Sequence, residues 1–490
     1  MMSPSEIALT IILTIVLLGS AIGFFAGTRH RMNLEQWTVG SRGFGPLLMW
    51  LLMAGETYTT FSFLGASGWA YSRGGPVLYT LAYLPLAYVV SFFILPPIWE
   101  MGREQGLQTQ SDFFLTVYRS KYLAAFVAVV GVASIIPYLQ LQLTGLGIIV
   151  EVASFGGVGR TQAMVIAVVL VAGFVFVSGI RAVAWVSVLK DFLMLLAAVS
   201  IGIYVPHIYF GGIGPMFAAV AHAKPTHLVM PGATSNLSHS WYISTVLLTS
   251  LGGFMWPHSF GATFTAKNAD TLRRNAVLMP LYTITLAFIF FVGFTAFLVV
   301  PGLSNGDLSL LTIVRKALSP WMLGVIGGAG ALTAMVPASI LILTASTLFC
   351  KNLYRPIFAP TMTDDQVARL ARIMVVALSL TSLYFAIYSS STLVSLLLLG
   401  YSGVTQFFPG VVLGLFWKRV RMVGVFGGMI VGVACTAFLV LSKRDPFGGL
   451  NAGFIALCVN WAVTILVSVL APVEAGGLAE EVSASASANP

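Results

Sequence analysis

Long apolar runs separated by short polar loops recur along almost the whole chain. A helix that spans a bilayer needs about 20 predominantly apolar residues, so each such run is a candidate transmembrane helix. The thirteen runs are 6–27, 45–69, 76–99, 122–152, 161–179, 183–205, 240–262, 276–300, 318–350, 366–388, 392–417, 421–441 and 452–471. The pattern predicts an all-α polytopic membrane protein with about 13 transmembrane helices.

The runs follow one another without a long polar insert, which predicts one transmembrane domain over residues 1–471. Residues 472–490 are rich in Ala, Ser, Glu and Gly. A segment of this composition cannot bury enough apolar surface to fold, so we expect a disordered C-terminal tail.

Composition agrees with this pattern, since 58% of the residues are hydrophobic, 8% are charged and the mean hydropathy is +0.93. About a quarter of the residues in a soluble domain are charged. The lipid bilayer is therefore the expected environment. The three cysteines show no metal-ligand spacing, and we expect neither a metal site nor a cofactor.

The net charge of +9 reflects membrane topology. If the N-terminus lies outside, most Lys and Arg residues fall on loops of the inner side, as the positive-inside rule requires. We expect an N-terminus outside and a C-terminus in the cytoplasm. The basic balance needs no nucleic-acid partner, and no obligate protein partner is evident.

Two spans contain helix breakers at mid-depth. Ala54-Gly55 precedes the carboxylate of Glu56 in the second span, and Gly252-Gly253 and Pro257 interrupt the seventh. Two interrupted helices in corresponding halves of the chain indicate a transporter binding site. The alternative is that these Gly and Pro residues serve helix packing only.

Polar side chains at these breaks and in two other spans are candidate substrate ligands. Tyr138 and Gln142 are four residues apart and share a helix face. Hydrogen bonding between helices is the alternative role for such side chains. The candidate substrate-binding residues are Thr57, Thr59, Tyr138, Gln142, Trp256, His258 and Tyr401.

The chain resembles the sodium/solute symporter family. The stretches that carry the resemblance are Gly40-Ser-Arg-Gly-Phe-Gly45, Phe63-Leu-Gly-Ala-Ser-Gly68, Gly179-Ile-Arg-Ala-Val-Ala-Trp185, Phe264-Thr-Ala-Lys267 and Ala345-Ser-Thr-Leu-Phe-Cys-Lys-Asn-Leu-Tyr354. The resemblance implies a five-plus-five inverted repeat of the LeuT type over residues 45–417. One extra helix would precede this core and two would follow it.

Further stretches are similar to the bacterial monocarboxylate permease branch of that family. These are Glu56-Thr-Tyr-Thr59, Pro137-Tyr138, Leu141-Gln142-Leu143, Lys190-Asp191 and Val336-Pro337-Ala338. The resemblance implies that a short acid such as lactate or pyruvate is the substrate.

At the family's sodium site this sequence departs from the pattern. The resemblance places the two hydroxyl ligands of the ion at Val336 and Pro337, which have no side-chain oxygen. Gly55, Tyr58 and Thr333 align with positions that contribute backbone carbonyls. The resemblance therefore implies a degenerate sodium site.

Glu56 is the candidate carrier of a coupling proton. A carboxylate within a membrane span is costly and is by default a functional hypothesis. The alternative is structural, with Glu56 paired to Lys190 or accepting amides at a helix end. Lys190 and Asp191 are further ion-coupling candidates, and as sequence neighbours they are expected to point in different directions.

We therefore expect a secondary transporter, not an enzyme, that imports a small organic anion across the bacterial inner membrane. Protons are the expected coupling ion and sodium is the second choice. A sodium-coupled symporter of pantothenate or an amino acid is one alternative. A membrane sensory module is an alternative of another class.

Overall fold

The computed structural model describes residues 2–27, 39–177, 180–232 and 235–471, and within them the regular structure is helical apart from isolated bridges. The predicted disordered tail, 472–490, lies outside the described residues. In chain order the α-helices are α1 Pro4–Gly27, α2 Pro46–Thr57, α3 Ala66–Ser72, α4 Tyr79–Gln105, α5 Gln110–Tyr118, α6 Lys121–Ala153, α7 Arg160–Val177, α8 Ile180–Phe210, α9 Ile213–Ala223, α10 His239–Gly252, α11 Pro257–Thr263, α12 Ala269–Thr283, α13 Leu286–Val299, α14 Ser309–Ala317, α15 Pro320–Thr347, α16 Arg355–Phe358, α17 Asp364–Tyr388, α18 Leu393–Val404, α19 Phe408–Phe416, α20 Met422–Leu441 and α21 Ala452–Leu470.

Ten helical stretches in the described part of the chain are long and apolar enough to cross a membrane. They coincide with ten of the thirteen predicted spans. Of the other three, two are interrupted helices and the third holds α7, which has 18 residues. The multi-pass membrane architecture is confirmed, while the number thirteen stays a prediction.

The second predicted span is a broken helix. Pro46 occupies the first turn of α2, where its missing N–H is not needed. The helix ends because Tyr58 adopts an extended backbone, with φ −93° and ψ 96°. Helical structure resumes at the π-helix Phe61–Gly65 and continues into α3. We call α2, the break and α3 the first interrupted span.

The seventh predicted span is also broken, between α10 and α11. Trp256 leaves the helical region, with φ −59° and ψ 128°, and Pro257 then starts α11. Gly252 ends α10 where a β-carbon would meet the side chains of Thr405 and Tyr401. Glycine therefore lets α10 approach α18 closely. We call α10, the break and α11 the second interrupted span.

Helix α15 lies at the centre of the bundle and is almost wholly buried. Its Gly324 and Gly328 face Ile11 and Ile15 of α1, so that the two backbones come close. Small residues at helix contacts are the usual means of tight packing in lipid. Helix α8 packs against both α2 and α15, which places its polar residues beside the first interrupted span.

Candidate functional site: a cavity between two interrupted helices

The two interrupted spans meet at Glu56. Ser259 of α11 donates a hydrogen bond from Oγ to Glu56 Oε2 at 2.7 Å. The other carboxylate oxygen, Oε1, is buried and has no hydrogen-bond partner. Glu56 therefore has an unused acceptor at the junction of both helix breaks.

A cavity of about 60 Å³ lies at this junction. Six of the predicted ligands line it: Glu56, Thr57, Tyr138, Trp256, His258 and Tyr401. The remaining lining residues are Met53, Phe61, Tyr83, Leu84, Ala87, Tyr88, Gly253, Phe254, Ser259 and Leu397. The cavity has a mainly aromatic wall with a few polar groups, as small-molecule sites commonly do.

The aromatic wall is a set of packed rings. The ring of Trp256 lies 4.9 Å from that of Tyr138 and 5.2 Å from that of Tyr401, measured between centroids. His258 packs on Tyr138 at 5.7 Å. These contacts join the second interrupted span to α6 and α18, so the wall is built from three parts of the chain.

Two predicted substrate ligands, Thr59 and Gln142, do not line the cavity. Gln142 accepts a hydrogen bond from the hydroxyl of Thr60. Thr59 accepts one from the backbone N–H of Phe61 at 3.2 Å, within the break itself. Both side chains serve the backbone of the first interrupted span, because a broken helix in lipid must satisfy its freed polar groups internally.

Several lining residues were missed by sequence reasoning. Tyr83 and Tyr88 lie in α4, whose continuous apolar pattern gives no sign of a site. Ser259 lies two residues after Pro257, and this position beside a break was the one available signal. Tyr88 contacts Thr57, with 3.2 Å between the two hydroxyl oxygens.

Lys190 and Asp191 lie on α8 beside the first break. Lys190 is fully buried, and its Nζ lies 2.9 Å from Asp191 Oδ1. The expectation that the two side chains point apart was therefore wrong. The long lysine side chain folds back to its neighbour because both charges are buried and each needs a counter-charge.

The Lys190 ammonium also reaches the first break. Its Nζ donates hydrogen bonds to the carbonyl oxygens of Gly55 at 2.7 Å and of Tyr58 at 2.9 Å. In the described residues we find no direct ion pair between Glu56 and Lys190, and Glu56 accepts from Ser259 instead.

The remaining predicted sodium-site residues lie buried on α15. Thr333 donates its hydroxyl to Gly330 O at 2.6 Å, within its own helix. Val336 and Pro337 are buried and offer no side-chain oxygen. Among the residues that the structure describes, no cluster of three or more His, Cys, Asp or Glu side chains is suited to a metal ion.

A second polar cluster joins α5 to the segment Leu348–Tyr354 that follows α15. Asp112 of α5 accepts from Lys351 Nζ at 2.7 Å and from Asn352 Nδ2 at 2.8 Å. Burial by itself acts to raise the pKa of Asp112, but the Lys351 ammonium and the N–H donors of Gln108 and Asn352 outweigh it and hold that pKa below its usual range. Asp112, Lys351 and Asn352 line a cavity of about 300 Å³.

The fold and the cavity together are typical of a multi-pass transporter with a candidate binding site at two helix breaks. The chain belongs to the sodium:solute symporter family, whose model matches residues 37–432. The prediction of a symporter of this family, and not an enzyme, is confirmed.

Known relatives span nearly the whole chain. An uncharacterized symporter of Bacillus subtilis, YhjB, is 45% identical over 94% of this chain and 97% of its own length. The monocarboxylate transport permease protein of Rhizobium johnstonii is 26% identical over 96% of this chain and 98% of its own.

The fold is similar to that of a Na⁺-coupled sialic acid symporter solved in a substrate-bound outward-open state. Comparison of the two structures gives a TM-score of 0.80 at 17% sequence identity. It covers 96% of this chain and 98% of that protein. The predicted all-α, LeuT-type fold is confirmed.

Proposed function

We propose that this protein imports a short monocarboxylate, such as lactate or pyruvate, across the bacterial inner membrane together with at least one proton. It works as a single transmembrane domain over residues 1–471, with its N-terminus outside and its C-terminus in the cytoplasm. It needs no obligate protein partner. The observation that carries the proposal is the small cavity with Glu56 on its wall.

Cavity size favours a small solute. A volume of about 60 Å³ is small beside the roughly 300–1,000 Å³ of a pocket for a drug-sized ligand. A short acid needs only a modest rearrangement of the wall to fit. Pantothenate, the larger alternative, needs a much wider opening between the aromatic rings of Trp256 and Tyr401.

Glu56 supplies the physical reason for proton coupling. A substrate carboxylate in this cavity would lie beside the Glu56 carboxylate, and two ionised carboxylates do not share a dry site. The anion therefore enters with Glu56 protonated, and the protonated Glu56 Oε1 gains a partner by donating to the substrate. Anion and proton then move together.

The polar wall offers donors for the rest of the substrate. Thr57, Tyr88 and Tyr401 line the cavity with hydroxyl groups, and His258 Nδ1 is buried without a hydrogen-bond partner. We propose that Thr57, Tyr138, Trp256, His258 and Tyr401 bind the substrate. We propose that Thr59 and Gln142 act indirectly by holding the break.

Sodium is the second candidate for the coupling ion. The family description and the Na⁺-coupled structural neighbour both favour it. Against it stand Val336 and Pro337, which supply no ligand, and the occupied carbonyls of Gly55 and Tyr58. A sensory role is the alternative of another class and predicts binding without accumulation of substrate.

Reconstituted vesicles test the proposal. We expect lactate or pyruvate uptake to rise as external pH falls, and to persist when sodium is replaced by potassium or choline. Uptake that stops without sodium and ignores an imposed pH gradient would establish sodium coupling instead. A screen of short acids, pantothenate and amino acids at two pH values identifies the substrate class, and binding without uptake of any solute would indicate a sensor.

A further inference from the structure

Three oxygens surround the Lys190 ammonium. Its Nζ donates hydrogen bonds to Gly55 O at 2.7 Å and Tyr58 O at 2.9 Å, and it forms an ion pair with Asp191 Oδ1 at 2.9 Å. No part of the Lys190 side chain is exposed. The ammonium therefore lies among oxygen atoms as a bound cation would.

The two carbonyls are acceptors that the break has released. Tyr58 has an extended backbone, so the regular i to i+4 hydrogen bonds of α2 end around it. Unpaired carbonyls inside a membrane are costly and attract a cation or another donor. Gly55 and Tyr58 lie 135 and 132 residues from Lys190 in the sequence. The packing of α8 against α2 brings the three residues into contact.

We propose that the Lys190 ammonium is a tethered cation that occupies the carbonyl-lined position at the first break in place of a metal ion. The inference rests on the proposed cation-coupled transport but adds the identity of the group that takes the ion's place.

Geometry excludes joint occupancy of the position. A hard cation bound by carbonyl oxygens lies about 2.3–2.6 Å from them. A metal ion held by Gly55 O and Tyr58 O would therefore overlap with Nζ, which lies 2.7 and 2.9 Å from the same two atoms. Repulsion between two positive charges adds to the steric conflict.

Thermal unfolding of the purified protein in sodium, potassium or choline chloride at equal ionic strength tests the inference without any substrate. We expect the wild type to show no sodium-specific rise in Tm. Lys190→Ala leaves Asp191 and two free carbonyls around a space of ion size, so we expect sodium to raise its Tm by several degrees. Lys267→Ala, which removes an exposed ammonium, is the matched control and should behave as the wild type.

A sodium-specific rise in the wild-type Tm overturns the inference, whatever the substrate proves to be. So does a Lys190→Ala protein that folds but does not respond to sodium. The proposed monocarboxylate function fails separately, if no short acid is taken up while the sodium response is as expected.

Lys190→Ser covers the case in which Lys190→Ala does not fold. Serine removes the charge and the long side chain but supplies a hydroxyl oxygen that can bind a cation together with the two carbonyls. We expect sodium to raise the Tm of this variant by several degrees. A Lys190→Ser protein that folds but does not respond to sodium would overturn the inference.

Discussion

Ser259 Oγ donates a 2.7 Å hydrogen bond to Glu56 Oε2 and so joins the two interrupted spans at the wall of the cavity. The carboxylate thus contacts both helices whose breaks define the site, and any change in its protonation is felt by both. This relationship ties the ionisation of one residue to the relative position of the two spans.

Glu56→Gln should separate substrate binding from proton coupling. Glutamine imitates the protonated carboxyl group and still accepts from Ser259, so we expect the protein to reach the membrane and exchange labelled substrate. We expect pH-driven accumulation to fall at least about tenfold, equivalent to about 1.4 kcal/mol. Accumulation is measured in vesicles with an imposed pH gradient.

Glu104→Gln is the control for this variant, because Glu104 is an exposed carboxylate at the end of α4. It should accumulate substrate as the wild type does. Normal proton-driven accumulation by Glu56→Gln would remove Glu56 from the mechanism.

Carboxylate recognition predicts a sharp difference between acids and their neutral analogues. We expect lactate and pyruvate to compete for one site, and lactamide or methyl lactate to compete at least about tenfold more weakly, because a site that hydrogen-bonds a group rejects analogues lacking it. The measurement is inhibition of labelled uptake at fixed pH. Equal inhibition by lactamide and lactate would contradict recognition of the carboxylate.

The Asp112–Lys351 pair should stabilise the fold at neutral pH. The two side chains are partly buried, so removing one partner and leaving the other charge unpaired costs about 1–3 kcal/mol. We expect Asp112→Asn and Lys351→Met each to lower the Tm, and the double variant to lose less than the two single losses combined. Strictly additive losses would show that the two side chains do not interact.

The pH dependence of that pair follows from the lowered pKa of Asp112. The unfolded chain binds the proton more readily than the folded protein does, so the contribution is present above the ordinary pKa of aspartate, about 3.9, and is lost as pH falls through the lower folded value. The Tm difference between wild type and Asp112→Asn should therefore be constant from pH 6 to pH 8.

Asp307 should show the opposite dependence. It is buried in the segment before α14, where its Oδ2 accepts from Leu393 N–H at 3.1 Å. Burial raises the pKa of Asp307 to about 6, against the lowering effects of that N–H and of Arg160. The folded protein then binds the proton more readily than the unfolded chain, and stability falls as pH rises from about 4 to 6.

Asp307→Asn removes this titration and keeps a carbonyl for Leu393. We expect its Tm relative to wild type to be higher at pH 8 than at pH 4. The exposed Asp365→Asn is the control and should show no such change. A relative Tm that does not depend on pH would mean that Asp307 does not titrate in this range.

The sequence by itself determined the membrane architecture and the two helix breaks. Apolar runs of spanning length are stable in a bilayer, and Gly252-Gly253 with Pro257 marks one span as interrupted, although prolines such as Pro137 and Pro337 lie inside continuous helices. Glu56 indicated the candidate site because a carboxylate in an apolar span is costly to bury and is therefore a functional hypothesis by default. The first break was placed less well, since the helix continues past Gly55 and ends at Tyr58.

Tertiary structure alone decided which polar groups meet. Periodicity gives the face of a helix on which Thr57, Thr59 and Gln142 lie, but only the packing of α6 against the break showed that Gln142 binds Thr60 and Thr57 lines the cavity. The contact of Lys190 with Gly55 and Tyr58 was equally hidden from the sequence. Backbone carbonyls carry no side-chain signal, and their availability depends on where a helix breaks and which neighbour covers it.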